Sequence, residues 1–422
     1  MSAFPQAFTG MLSARFGAET AARVLAALGE APSVSIRLNP FRLPDSGTKM
    51  AEFVPERLFG THSGTKTDLF VPVPWSPQGF LLPERPNFTL DPLFHAGCYY
   101  VQDSSAMFVG ELLRRCLDGK VAGLPASDPG VRMLDLCAAP GGKTTDAAAS
   151  LRERFGDRFT LIANEVMRAR HAVLRSNVRT WGDPRVGVVS RDPAVIGAAG
   201  PLFDILLTDV PCSGEGMFRK DPRALAEWSE ETVAFCAARQ RRILSDAWPA
   251  LRDGGLLIYA TCTFNAAEND DNVSWIAETL GAQVLDAGEG GPGILRTPAG
   301  GYALLPGLVP GEGQYAAIFR KNGDTPAPGD PLRVLRAELP AASPAGEPEL
   351  PRYAIDRDTA LQYLHGDALR LPADAQRGLL TLTYMGCPLG TAKNIGSRCN
   401  NLYPKDRRIR IDIPLSHDDY DC

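Results

Sequence analysis

The spacing of apolar and polar positions changes character along the chain. Near the start, Phe8, Leu12 and Phe16 recur at helical intervals, and Val24, Leu25 and Leu28 carry the pattern on, so this region is predicted helical. The stretch VPVPWSPQGFLLPERP that comes later is dense in proline and reads as loop, because proline lacks the N–H that a central strand donates. From Val131 the texture becomes short apolar runs: VRMLDL, RFTLIANEV, RVGVVS, FDILLTDV and GLLIYATC. Each is rich in Val, Ile or Leu, as strands covered on both faces are. Helical stretches separate them, among them Arg168 to Trp181 and Glu227 to Leu251. This alternation predicts an α/β fold, a doubly wound, Rossmann-like parallel sheet with helices on its faces.

Two stretches rich in Pro, Ala and Gly, NGDTPAPGDP and LPAASPAGEPELP, then interrupt the pattern and read as a linker over 323–350. The expected organisation is an N-terminal block (1–125), the α/β domain (126–322), the linker, and a smaller C-terminal domain (351–422), which suits a chain of 422 residues. The start of the chain lacks a basic segment followed by an apolar run, and no span of some twenty apolar residues follows. A cytoplasmic protein without membrane segments is the expectation. Nine cysteines at irregular intervals, with no CxxC pair, support neither a disulfide framework nor a zinc site, so free thiols and no metal are expected. Nothing in the sequence sets an oligomeric state.

The net charge of −5 argues against a nucleic-acid partner for the chain as a whole. Locally the balance reverses, since SRCNNLYPKDRRIR holds Arg398, Lys405, Arg407, Arg408 and Arg410 against the single Asp406. Such a run fits a solvated face and a phosphate contact equally well.

Chemistry enters with LDLCAAPGGKTT, where a strand ends, a glycine-bearing turn follows and a helix begins near Lys143. This geometry brings backbone and helix N–H groups close to a ligand. An ordinary connection between strand and helix would read the same way, and the segment is neither a nucleotide P-loop nor GxGxxG. Acidic residues close the strands that come next: Glu165 after LIAN, Asp192 after VGVVSR, and Asp209 after ILLT. In open α/β sheets a ligand sits beyond these strand ends, and a carboxylate after the second strand can hold ribose hydroxyls. Asp192, lying before a proline, fits a helix N-cap as well. Together these positions predict an adenosine-bearing ligand.

Two thiols also stand at strand ends, Cys212 in DVPCSGEG and Cys262 in YATCTF; spacing alone fits buried packing. With LDLCAAPGGKT, however, these segments resemble the Nol/Nop/Sun family of S-adenosylmethionine-dependent RNA cytosine-5 methyltransferases. The likeness extends to SIRLNP, YYVQDSSAM, FRKDP and QRRILSDAWPALRDGG. The stretch GLLTLTYMGCPLGTAKNIGSRCNNLYPKDRRIR further resembles the PUA-like RNA-binding extension of the family's ribosomal small-subunit methyltransferase F branch. Pro193 after Asp192 and Val210 before the PC pair depart from the usual family residues, and neither removes a functional side chain.

The resemblance implies that S-adenosylmethionine binds along Cys137, Ala138, Ala139, Pro140, Gly141, Gly142 and Lys143, with Glu165 on the ribose and Asp192 and Asp209 nearby. The implied substrate is a cytosine in RNA, from small-subunit ribosomal RNA; a transfer-RNA enzyme would carry the same catalytic residues. A silent RNA-binding factor would be expected to carry a broken motif, and none is seen. Carbon 5 of cytosine is a poor nucleophile, and thiolate addition at carbon 6 activates it, splitting one difficult step into two. The family pattern assigns the attack to Cys262, product release to Cys212 and a hydrogen bond on the cytosine to Asp209. DNA cytosine-5 methyltransferases attack through a PC cysteine, so Cys212 stands as the competing nucleophile. Arg219, Lys220, Tyr99, Tyr100 and Gln102 are candidates for holding a base turned out of its stack, and fit surface or core positions equally. The remaining cysteines, Cys98, Cys116, Cys236, Cys387, Cys399 and Cys422, are expected to pack.

Overall fold

The computed structural model describes residues 4–42, 70–119, 121, 130–323, 330–337 and 350–413. Most of LPAASPAGEPELP, and Cys422, lie outside the described residues. The predicted helical start forms two helices, Gln6–Phe16 and Ala18–Leu28. They divide at Gly17, whose φ of 82° is a conformation that side-chain-bearing residues rarely adopt.

An antiparallel sheet follows, built from β1 (Val34–Leu38), β2 (Val71–Pro72), β3 (Gly79–Leu82) and β4 (Tyr99–Val101) in the order β2-β3-β1-β4. The proline-rich stretch is therefore not all loop, since it contains the β2–β3 pair. Pro72 is tolerated because β2 lies at the sheet edge, where a missing N–H breaks no central ladder.

The five apolar runs form the parallel strands β5 (Val131–Asp135), β6 (Phe159–Asn164), β7 (Val186–Val189), β8 (Phe203–Asp209) and β9 (Leu251–Thr261). Their order is β7-β6-β5-β8-β9. Antiparallel strands complete the sheet: β10 (Ala282–Leu285), β11 (Leu295–Arg296), β12 (Tyr302–Leu304) and β13 (Gln314–Lys321), with β13 paired to β9. Adjacent residues of β5 enter opposite cores. Met133 packs with Leu112 and Leu151 on one face, and Leu134 with Leu206 and Leu244 on the other. Burial on both faces is why the strand sequences are nearly continuous in apolar residues. The chain order reverses between β5 and β8, which opens a crevice beyond their carboxyl ends.

The C-terminal domain is a second small sheet, β14 (Arg352–Ala354), β15 (Gly378–Tyr384), β16 (Cys387–Asn394) and β17 (Cys399–Asn401), with the helix Arg357–His365. It does not stand apart: Leu361, Leu364, Leu382 and Cys387 share one core with Ile36, Leu93 and Cys98 of the N-terminal block. Among the described residues no helix is long and apolar enough to cross a membrane.

Candidate active site

β8 and β9 are adjacent and parallel, with Asp209 opposite Ala260, so the loops that follow them leave the sheet side by side. That placement brings the two thiols together: the sulfurs of Cys212 and Cys262 are 3.1 Å apart, both half-buried. The Gly216 N–H donates to the Cys262 carbonyl at 2.9 Å, and a Cβ at Gly216 would stand 2.8 Å from that oxygen. Only a glycine lets the two loops approach this closely.

The Lys143 ammonium donates to Asp209 Oδ2 at 2.9 Å. Burial alone would favour its neutral form, but Asp209 and the neighbouring Cys262 outweigh burial and raise its pKa. For Cys212 the hydrogen bond with Cys262, and then burial, push the pKa well up, which keeps this sulfur a thiol. Asp135 is wholly buried and, despite a 2.6 Å hydrogen bond from Thr144, is pushed up to about 7 by burial, with Asp209 adding to the shift. The site thus pairs one fixed cation with carboxylates and a protonated thiol.

A cavity of about 450 Å³ opens beside these groups, within the range of small-molecule sites. Cys137, Ala138, Ala139, Pro140, Gly142 and Lys143 line it, together with Asp135, Asp209, Cys262 and Gln314. Residues outside the loop hold its backbone in place. Tyr100 and Asn177 donate to the Pro140 carbonyl at 3.2 and 2.8 Å, and Arg170 to the Ala139 carbonyl at 2.7 Å. Arg37 of SIRLNP reaches across from β1, donating to the Gly142 carbonyl and to Thr145 at 3.2 and 2.6 Å. The cavity fits a cationic, amphipathic ligand such as S-adenosylmethionine. Asp135 offers a buried carboxylate oxygen with no hydrogen-bond partner among the described residues, and alanine side chains line the adjoining wall.

Other predicted residues fall elsewhere. Glu165 does not line the cavity; its carboxylate accepts from the Met167 N–H at 2.9 Å and pairs with Arg170 at 3.4 Å, directly behind the loop. Gly141 takes a left-handed φ of 112° at the helix start. Asp192 caps the helix Pro193–Ala198 through Ala194 at 2.9 Å and also lies outside the cavity, which is the N-cap geometry its proline neighbour suggested. Arg219 is drawn inward, bonded to Glu312 at 2.6 Å and to the Ala27 and Gly311 carbonyls, so its guanidinium is a structural tie and not a free cation for a base. Lys220, Tyr100 and Gln102 do line the cavity, whereas Tyr99 is buried in the junction core. In the basic run, Arg407 turns inward to Thr180 at 2.8 Å, while Arg398, Lys405 and Arg410 are exposed.

Sequence reasoning missed Glu215, Gln240, Asn265, Glu268 and Gln314. Gln314 donates to the Thr261 carbonyl at 2.6 Å beneath the TC loop. Glu215 lies inside DVPCSGEG and Gln240 opens QRRILSDAWPALRDGG, and their presence in those segments was the available signal.

Fold and cavity together define a Rossmann-like, methyltransferase-type fold with an N-terminal domain and a small C-terminal sheet domain. Three family models match in chain order: the N-terminal domain of 16S rRNA methyltransferase RsmF over 4–104, 16S rRNA methyltransferase RsmB/F over 124–317, and the methyltransferase RsmF PUA domain over 351–409. They cover most of the chain, which belongs to the RsmB/F family. Family and fold imply S-adenosylmethionine as the methyl donor. The ribosomal RNA small subunit methyltransferase F of Salmonella paratyphi A is 39% identical over 267 residues, covering 61% of this chain. The chain spans about half the length of that relative, 52%. Among solved structures, a methyltransferase homolog protein from Pyrococcus horikoshii is 26% identical with a TM-score of 0.59, covering 75% of this chain and 95% of its own. NSun6 from the same organism, at 18% identity and a TM-score of 0.59 over 76% of this chain and 99% of its own, has the same fold.

Proposed function

We propose that the protein methylates carbon 5 of a cytosine in small-subunit ribosomal RNA through a covalent adduct on Cys262. The observation that carries this reading is the 3.1 Å pair of thiols at the edge of a cavity that also holds the loop after β5. Bound S-adenosylmethionine supplies the electrophilic methyl group.

The residues divide the remaining work. Cys262 gives up its thiol proton to solvent and, as the thiolate, bonds through Sγ to carbon 6, which moves electron density onto carbon 5 and makes it the nucleophile. Lys143 sets positive charge beside the attacking sulfur and fixes Asp209, leaving the other carboxylate oxygen for the cytosine amine. Cys212 remains protonated until release. When the Cys262–carbon 6 bond breaks, its electron pair stays with sulfur, which takes the Cys212 proton. The Cys212 thiolate so formed accepts the proton from carbon 5 and the ring double bond is restored. The ribosomal target is supported by the tandem RsmF domains and by the exposed cations of the PUA domain.

Cys212→Ala should attack and then stall, leaving protein covalently attached to RNA as a slower band on a denaturing gel; Cys262→Ala should form no adduct. The reverse pattern would assign attack to Cys212, and normal turnover in both variants would end the covalent reading.

A further inference from the structure

Strand pairing brings the two thiol loops out as neighbours but does not set their separation. Two buried carboxylates span the gap in opposite directions. Glu215, three residues after Cys212, accepts hydrogen bonds from the backbone N–H groups of Phe264 and Asn265 in the other loop. Glu268, six residues after Cys262, accepts in return from the Ser213 N–H at 3.0 Å. Both side chains are wholly buried. Among the described residues neither makes an ion pair; their remaining partners are neutral donors, Trp228 at 3.0 Å on Glu215 and Gln240 at 2.6 Å on Glu268.

Asn265 joins the two. Its Nδ2 donates to Glu215 at 2.9 Å and to Glu268 at 2.8 Å, while its Oδ1 accepts from the Glu268 N–H at 2.9 Å. That pattern fixes the amide orientation, because an oxygen facing two carboxylates would be repelled. The residues following each cysteine also pair, Ser213 Oγ with Thr263 Oγ1 at 2.9 Å. Burying an anion without a cation is costly, and burial raises the Glu268 pKa. Carboxylates are nonetheless suited to this place. Each receives only donors, and an amide would turn an NH₂ group against one of them.

We propose that Glu215 and Glu268 are positioning residues that set the separation of the two thiols, each carboxylate holding the loop that carries the opposite cysteine. This deepens the proposed function and rests on it only for the RNA arm of the test. Glu215 holds the Cys262 loop, so its loss acts on attack; Glu268 holds the Cys212 loop, so its loss acts on release.

The ruler for the separation is independent of RNA. Diamide removes two electrons and two protons from a pair of neighbouring thiols and links them as a disulfide, and peptide mapping follows the Cys212–Cys262 link. The rate in the full chain should fall about 10-fold in Glu215→Gln and in Glu268→Gln, as expected when a buried charge-assisted hydrogen bond is removed. With RNA, Glu215→Gln should slow adduct formation, and Glu268→Gln should accumulate adduct as Cys212→Ala does. Unchanged oxidation in both folded variants would overturn the proposal, as would equal loss of attack and release in both. Should either glutamine variant fail to fold, Thr263→Ala removes the hydroxyl that pairs with Ser213 and accepts from Asn265 Nδ2 at 3.0 Å, and an unchanged oxidation rate there overturns it too. If the RNA arm fails while oxidation slows, the methylation reading is wrong and the positioning role stands.

Discussion

The protein holds two neighbouring pairs of cysteines in opposite settings. Cys212 and Cys262 stand at strand ends, half-buried, with Cys262 in the wall of a cavity. Cys98 and Cys387 are sealed in the core that joins the N-terminal sheet to the C-terminal one, 0% and 2% exposed. In both pairs one thiol, Cys212 or Cys98, is pushed well up by a hydrogen bond to its partner and by burial. A cation lies near each: Lys143 couples to Cys262, and Arg42 to Cys98. Close thiols and a nearby charge are therefore common to both regions. The difference lies in what surrounds the cation, for Arg42 is tied to the Ala96 carbonyl at 2.9 Å, whereas Lys143 holds an acidic residue that faces the cavity.

The strongest break of this comparison removes the two cations in turn. Lys143→Met should lower methylation on the order of 100-fold or more, since it deletes a buried charge where charge develops. Arg42→Met should leave turnover unchanged and appear only as reduced stability. Single-turnover assays beside urea unfolding separate the two, and equal losses of activity would refute the distinction.

The exposed cations of the C-terminal domain should act on affinity alone. Replacing Lys405 and Arg410, both exposed, by alanine should weaken RNA binding several-fold and reduce the slope of log affinity against log salt by about 1 for each phosphate no longer neutralised. Binding titrations at several salt concentrations check this, and an unchanged slope would place the RNA elsewhere. Deleting the whole domain would be a poor test, because it strips the cover from Ile36, Leu93 and Cys98.

How much of this was legible in the sequence follows from how local each cause is. The five parallel strands were readable because burial on both faces forces continuous apolar runs. The cysteine loops were readable because each lies in a short, distinctive segment. The β2–β3 pair was hidden by prolines whose harmlessness depends on an edge position that only the assembled sheet defines. Glu215 and Glu268 were hidden for a related reason, since their donors lie in the other loop, 50 and 55 residues away. Arg219 reads equally as a base contact or as a surface or core position until Glu312, 93 residues on, ties it inward.

Acid groups sharpen the comparison at intermediate scale, with one in each region. Burial raises Asp135 to about 7 beside the strand-end thiols, and raises Asp91 to about 6 beside the sealed pair, against a hydrogen bond from Tyr99. Both pKa values lie above the unfolded value of 3.8. Stability from each group is therefore fully present below pH 3.8 and lost as pH rises through its folded pKa. Asp135→Asn should flatten the pH dependence of unfolding up to about pH 7, and Asp91→Asn only up to about pH 6. Denaturant midpoints measured from pH 4 to 8 would show the two windows, and coincident windows would contradict the assignment.

The smallest expected effect belongs to the sealed pair itself. Cys98 has no exposed surface, and it packs in the apolar core beside Cys387. Cys98→Ala removes one sulfur from a packed site and leaves the Cys387 thiol its hydrogen bond to the Arg42 carbonyl at 3.5 Å. The cost should be about 1 kcal/mol, in the range of a small core truncation, with adduct formation and release both unchanged. Diamide should likewise link Cys212 to Cys262 well before Cys98 to Cys387, because oxidation of a sealed pair waits for the domain junction to open. A junction pair that oxidised as fast as the strand-end pair would mean that this core opens readily, and the contrast between the two regions would then be one of polarity alone.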